Sequence, residues 1–361
     1  VESHVIARVR ENEDQFETHN VHLQSEASAV RRLKDSALEQ LRLRRYPGFL
    51  VERGRQIAPD IIHAHFGSWG WSVLNAADRI GAPLVVTFYG FDVNQLPRAV
   101  PKFRRRYRDL FARAAGIFCE GEHMRESLLK LGCPPQKAFV QRLGVDLDGI
   151  PFQPRSIDPG APVRVLIASA FREKKGIPLA IRALGQLKDD HSFSITLLGD
   201  ASELEASQRE KRKIEEAIRD SGLSESVHRV GFQPHAEMLR MAGEHDVFLA
   251  PSHEAPDGDT EGGAPVVLVE MAASGVPIVT SDHCDIPGIV SDGITGIVAK
   301  EADEEDLARA LRRAFRLGSG WRPITEAARQ HVITNFDART QGLALAELYR
   351  RVIREAPSQR S

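Results

Sequence analysis

The chain has 361 residues, 42% of them hydrophobic and 27% charged, which is the balance of a folded globular protein and excludes a disordered or fibrous one. That length exceeds the size at which one hydrophobic core usually stops growing, so two domains are expected, with a single α/β barrel as the alternative. A net charge of -2 gives nucleic-acid binding no support. The first residue is Val, and the chain runs almost directly into an apolar stretch, Val5 to Val9, read as a strand; a further strand is expected to have preceded it. Ile61 to His63, Leu84 to Phe88, Gly116 to Cys119 and Phe139 to Leu143 follow as strands, separated mostly by amphipathic helical stretches, the pattern of a parallel sheet.

One of those stretches is strongly basic. Leu96, Val100, Phe103, Tyr107, Leu110 and Ala114 keep helical spacing while Arg98, Lys102, Arg105, Arg106, Arg108 and Arg113 occupy the remaining faces. Such a helix can lie against anionic lipid or pack on its own sheet with a solvated basic face. Pro and Gly then punctuate 149–154 and 158–162, an expected linker, after which the alternation resets. Val163 to Ala168, Phe193 to Leu198, Val227 to Val230, Val247 to Ala250, Pro277 to Thr280 and Thr295 to Val298 are the second set of strands, with helices over Ile177 to Leu187 and Ser202 to Asp220. The expected domains are residues 1–158, 159–336, and a tail at 337–361 whose Leu343, Leu345, Leu348 and Val352 form a helical stripe suited to crossing back to the first domain. Cys119, Cys133 and Cys284 are odd in number and show no Cys-x-x-Cys spacing, which points to a reducing compartment. No apolar run approaches the ~20 residues needed to span a bilayer, and the start lacks a basic, apolar and small-residue signal pattern. A cytoplasmic protein, at most peripheral at the inner membrane, is expected.

The chemistry concentrates at Glu261 to Glu270. A polar loop through Glu254, Asp257, Gly258 and Asp259 ends in Glu261, Gly262, Gly263, Ala264 and Pro265, and a helix begins near Pro265 or Val266. The unpaired amides of such a helix start, from Val266 and Val267 onward, suit a diphosphate. Glu270 lies about one turn further along, where its carboxylate can accept from a ribose. Taken alone, the segment favours a Gly-Gly turn entering a helix, with Glu270 as a solvated helix residue. Its neighbours favour a site: Arg172, Lys174 and Lys175 follow the strand Val163 to Ala168, while Gly199 and then Gly231 with Phe232 end the next two strands. Planar guanidinium and point-charge ammonium groups are natural partners of a leaving diphosphate.

The Lys-Lys-Gly loop, Leu198-Gly199-Asp200, Val230-Gly231-Phe232, the strand Asp246 to Ser252, the Glu261 to Glu270 segment and Gly275-Val276-Pro277-Ile278-Val279 together resemble, in order and spacing, the family 4 retaining glycosyltransferases of bacterial glycoconjugate biosynthesis. The resemblance implies an α/β protein of GT-B architecture, two doubly wound Rossmann-like domains facing across a cleft. It implies transfer of a sugar from a nucleotide diphosphate donor, UDP or GDP type, to a glycan or lipid-linked acceptor hydroxyl, without a cofactor, metal or enzyme nucleophile. By the same resemblance Glu261 touches the donor sugar, Glu270 the ribose and Lys175 the diphosphate, with Arg172 as a substitute. The family spaces its two glutamates by seven residues and this chain by eight, so a turn around Gly263 and Ala264 is expected to absorb the extra one. Ala170 stands where relatives usually have Arg, and Tyr89 where many have a sugar-contacting His. In the first half, His65 and Gly67 after one strand and Asp92 after the next are the further candidates, Asp92 for orienting the acceptor. Two rivals remain open. His63 and His65 could be a metal pair on a barrel strand of an amidohydrolase-like hydrolase, or the chain could be a degenerate sugar-nucleotide sensor. Asp257-Gly258-Asp259 matches the Asp-x-Asp metal motif of the other main glycosyltransferase fold and is read here as a polar loop.

Overall fold

The computed structural model describes residues 1–10, 19–41, 45–158 and 160–355. Pro159 of the expected linker and 356–361 of the expected tail lie outside them. The chain divides into two compact units: Val1–Cys119, Glu126–Phe139 and Leu343–Ser361 form the first, Glu120–Arg125 and Val140–Gly342 the second.

In the first unit, β1 (Val5–Ala7) pairs in parallel with β2 (Val21–Leu23) in a two-stranded sheet of its own. The sequence pattern had placed Val5 to Val9 in the main sheet and had not found β2, whose three half-buried residues are too short to show a period. After α1 (Ala29–Gln40) and α2 (Gly48–Ile57) come β3 (Ile62–His65), α3 (Gly67–Ile80), β4 (Leu84–Thr87), α4 (Leu96–Ala99), α5 (Lys102–Arg113), β5 (Gly116–Cys119), α6 (Glu122–Lys130) and β6 (Ala138–Val140). The main sheet is open and runs β3-β4-β5-β6, with the first three strands parallel. Every residue of β4 and β5 is buried, which explains their unbroken apolar runs: a parallel strand covered on both faces has no polar side. The apolar stripe of α5 packs inward, with Tyr107, Leu110 and Phe111 buried and the Tyr107 ring edge-on to Phe88 at 5.1 Å, while Lys102, Arg104, Arg105 and Arg108 remain exposed.

The second unit continues with β7 (Val163–Ala168), α7 (Ile177–Gly185), β8 (Phe193–Leu198), α8 (Glu205–Asp220), β9 (Val227–Gly231), α9 (His235–Ala242), β10 (Val247–Ala250), α10 (Val266–Ser274), β11 (Ile278–Ser281), β12 (Ile297–Ala299), α11 (Glu304–Arg316), α12 (Trp321–Asn335) and α13 (Ala338–Glu355), the last of which runs on into the first unit. Its sheet is parallel throughout, in the order β12-β11-β10-β7-β8-β9. Alternate residues of each strand feed two cores. Val165, Ile167, Ile195, Val247 and Leu249 join one cluster with α7, α8 and α11; Leu166, Ala168, Leu198 and Phe248 join the other with α10 and α12. Of the expected α13 stripe, Val352 is buried on Val85 and Phe118 and Leu345 and Leu348 pack beside it, but Leu343 is 73% exposed. Both main sheets are open, which removes the barrel alternative.

Candidate active site

The strand order of the second unit reverses between β7 and β10, so the chain leaves these neighbours in opposite directions and opens a crevice at their carboxyl ends. The loops entering it are Ser169–Gly176 after β7 and Pro251–Pro265 after β10. Charge ties them together. Arg172 Nη2 lies 2.6 Å from Asp259, Lys175 Nζ lies 2.8 and 3.0 Å from the two Glu261 oxygens, and Lys174 Nζ donates to the Thr260 carbonyl at 2.6 Å. Lys174 is buried and also faces Asp259 at 3.4 Å and Glu261 at 3.5 Å. Glu261 further accepts from Ser252 Oγ at 2.6 Å, and its own N–H donates to His283 Nε2 at 3.1 Å. Burial by itself would push the Glu261 carboxyl up, but the Lys175 and Lys174 charges and the bonds from Lys175 and Ser252 outweigh it and hold it at about 2.

A tight turn between the two glutamates is centred on Gly262, next to the Gly263 and Ala264 where one is expected. Gly263 N–H donates to the Glu261 carbonyl at 3.0 Å across Gly262, whose φ of 76° makes a three-residue turn that a side chain would strain. Gly263 is needed for space, because a Cβ there would sit 2.1 Å from a Glu120 carboxylate oxygen. Ala264 leads to Pro265, the extended N-cap residue of α10, which offers no side-chain cap to the amides of Val266 and Val267. Gly199 and Phe232 leave the same edge of the sheet: Gly199 donates to the Gly231 carbonyl at 2.8 Å, and Phe232 is 62% exposed. Glu270, four residues into α10, accepts from His235 Nε2 at 2.7 Å and lines a cavity of about 760 Å³ with His235, Asp146 and Ile150.

In the first unit His65 is exposed at the end of β3 and shares a 2.7 Å hydrogen bond from Nδ1 with Tyr89 Oη. Its partner His63 stacks on it at 4.5 Å and uses both ring nitrogens, toward Tyr349 Oη at 2.6 Å and Thr87 Oγ1 at 2.7 Å. Burial, with the neighbouring His65, lowers the His63 pKa to about 4. With both nitrogens occupied and β3 in an open sheet, the metal-pair reading of His63 and His65 fails. The Asp92 carboxylate is completely buried in a widened turn, Phe91–Gln95, and accepts from the amides of Gly67 and Tyr89, the latter at 2.7 Å. Burial raises it to about 7 against those bonds. Asp92 thus clamps the Gly67 and Tyr89 loops.

The sequence reading missed Lys174, Asp259, Ser252, His283 and His235 as site residues. Lys174 and Asp259 had a signal, adjacent cations in one loop and paired carboxylates in another, but which of them would be buried depends on the crossing of the two loops. Asp259 of the Asp-x-Asp motif is the counter-ion of Arg172 and Lys174. No local pattern pairs His235 or His283 with a glutamate segment 22 to 35 residues away.

Residues 152–331 match the family described as Glycosyl transferases group 1, and residues 1–148 match Glycosyltransferase Family 4. The amylovoran biosynthesis glycosyltransferase AmsK of Erwinia amylovora is 31% identical over 332 residues, covering 89% of this chain and 79% of that protein. Among solved structures, Anabaena Alr3699/HepE in complex with UDP and glucose superposes with a TM-score of 0.70 at 19% identity, over 87% of this chain and 83% of that one. The glycosyltransferase of Rickettsia africae ESF-5 gives a TM-score of 0.69 at 19% identity, over 86% and 83%. These likenesses identify the fold as GT-B. The chain belongs to the family 4 retaining glycosyltransferases.

Proposed function

We propose that this glycosyltransferase moves a hexosyl group from a UDP- or GDP-linked donor to a hydroxyl of a glycan or lipid-linked acceptor during exopolysaccharide assembly. The observation that carries the reading is the ion-paired crossing of the β7 and β10 loops beside the uncapped start of α10. A diphosphate is a chelating dianion, and this corner offers two kinds of partner: mobile cations and fixed amides.

In this reading Lys175 and Arg172 exchange part of their pairing with Glu261 and Asp259 for the diphosphate oxygens, and the Val266 and Val267 amides receive the same group. Glu270, oriented by His235, accepts from the ribose. Glu261 then faces the sugar as a full carboxylate, since its carboxyl is held at about 2. The charge that develops on the departing diphosphate is the quantity these groups stabilise, and because they are ordered beforehand they need little reorganisation in the transition state. The acceptor O–H adds on the face the diphosphate leaves, and its proton passes to a phosphate oxygen of the leaving group. His65 and Gly67 are the further candidates in the first unit, Gly67 as a donor-binding residue, with Asp92 as positioning residue. The AmsK likeness supports a polysaccharide acceptor, and the UDP complex of Alr3699/HepE supports a uridine donor. No helix among the described residues is long and apolar enough to cross a membrane; the exposed cations of α5 support a peripheral, cytoplasmic position on an anionic surface.

Thermal-shift screening against uridine, guanosine and adenosine diphosphates tests the donor, because a ligand at one hundred times its Kd stabilises the folded state by about 2.7 kcal/mol. Lys175→Ala is expected to lose turnover by about 10²- to 10³-fold while its melt stays cooperative. Near-normal turnover in that variant would overturn the assignment.

A further inference from the structure

One cluster of nucleophilic and titratable groups is left over by this reading. It lies on the loop after β11, behind Glu261. Cys284 Sγ sits 3.2 Å from His283 Nε2, and the His123 imidazole is the second group acting on the thiol. His283 is almost wholly buried, and its Nδ1 lies 3.0 Å from the Glu301 carboxylate. Cys284 is partly exposed and holds φ at 50°, a left-handed backbone that turns its thiol toward the two imidazoles. The other two cysteines are buried, and their thiols face the backbone carbonyls of Phe139 and Pro134.

We propose that Cys284 is a nucleophilic thiolate whose oxidation by hydrogen peroxide loosens the Glu261 loop, a modification site built into the donor half of the enzyme. The coupling to donor binding rests on the function proposed above; the reactivity of the thiol does not. A thiolate flanked by two imidazoles, one of them oriented by a carboxylate, is the arrangement that activates sulfur. Burial would push the Cys284 thiol up, but the His123 and His283 bonds prevail and hold it at about 7. Its sulfur attacks one peroxide oxygen; an S–O bond forms, the O–O bond breaks, and hydroxide leaves, taking up a proton to become water. Sulfur is oxidised to a sulfenate by two electrons, and the peroxide is reduced by two.

His283 carries the effect to Glu261. Its Nε2 lies 3.1 Å from the Glu261 amide nitrogen and 3.2 Å from Cys284 Sγ. An oxygen bonded to Sγ has no room within a 3.2 Å gap, so it displaces the imidazole and parts Nε2 from the Glu261 amide.

The test treats the whole protein with one equivalent of hydrogen peroxide, traps sulfenate with dimedone and maps the adduct by peptide mass, alongside the rate of iodoacetamide alkylation at pH 7. Cys284 is expected to carry the adduct and to alkylate about fivefold faster than glutathione, since a larger thiolate fraction is partly offset by lower intrinsic nucleophilicity. Glu301→Gln, if it melts as the parent does, is expected to alkylate more slowly. The peroxide-treated protein is expected to lose its nucleotide-induced thermal shift, and treated Cys284→Ser to keep whatever shift it shows untreated. Alkylation no faster than glutathione would overturn the thiolate, and an intact shift on fully oxidised protein would overturn the coupling. An untreated parent protein that binds no nucleotide defeats the donor reading instead, and the adduct and labelling rate still decide the thiol.

Discussion

Glu261→Gln isolates a single charge in the crossing of the two loops. The parent carboxyl is held at about 2, against an ordinary value of 4.5, by Lys175 and Lys174. Each unit of such a difference corresponds to about 1.36 kcal/mol, so the ionised carboxylate contributes on the order of 3 kcal/mol to the folded state. Because the folded value lies below the unfolded one, this stability is complete above about pH 5 and fades as pH falls toward 2. Glutamine keeps the shape and an acceptor for Ser252 Oγ but removes the charge. The variant should therefore be less stable at pH 7 by about 3 kcal/mol, or about 6–12 °C in Tm for a domain of this size. Urea unfolding of parent and variant at steps from pH 7 to pH 2.5 measures the difference directly. The two curves should converge toward low pH, where the parent carboxylate is lost as well, and other carboxylates cancel because both proteins carry them. A stability difference that is below about 1 kcal/mol at pH 7, or constant across the range, would refute the electrostatic account.

Asp92→Ala leaves the buried Gly67 amide and the part-buried Tyr89 amide without this acceptor and should destabilise the protein by about 2–4 kcal/mol, read by urea unfolding; a change under about 0.5 kcal/mol would mean that Asp92 clamps nothing. Turnover should survive EDTA within about twofold, because the Asp259 carboxylate of the Asp-x-Asp sequence already faces Arg172 and Lys174. Loss of activity in EDTA that added divalent metal restores would reverse that reading. Vesicles with anionic lipid should float the protein at low salt, and Arg104→Glu with Arg105→Glu should reduce flotation severalfold; unchanged flotation would clear α5 of that role.

The strands of the second unit were legible almost to the residue: Val163–Ala168, Phe193–Leu198 and Val247–Ala250 occur as read, because strands covered on both faces appear as short apolar runs. The start of α10 was legible for a local reason as well, since Pro265 and the glycines before it restrict the backbone within a few residues. Where local sequence carries no signal, the reading failed. β2 is too short to show a period, and the tight turn is centred on Gly262, with φ of 76°, beside a Glu261 held by Lys175 and His283.

By itself the sequence determined which loops end at which strand, and hence that cations, glycines and two glutamates gather at one edge of a parallel sheet. Only the tertiary structure decided how those groups divide their work. Lys174 is buried while Arg172 is half-exposed, Asp92 is buried and holds two loops, and Glu270 answers to His235. Those roles depend on desolvation and on distances of a few ångströms between segments far apart in the chain, and neither quantity is carried by local pattern or composition.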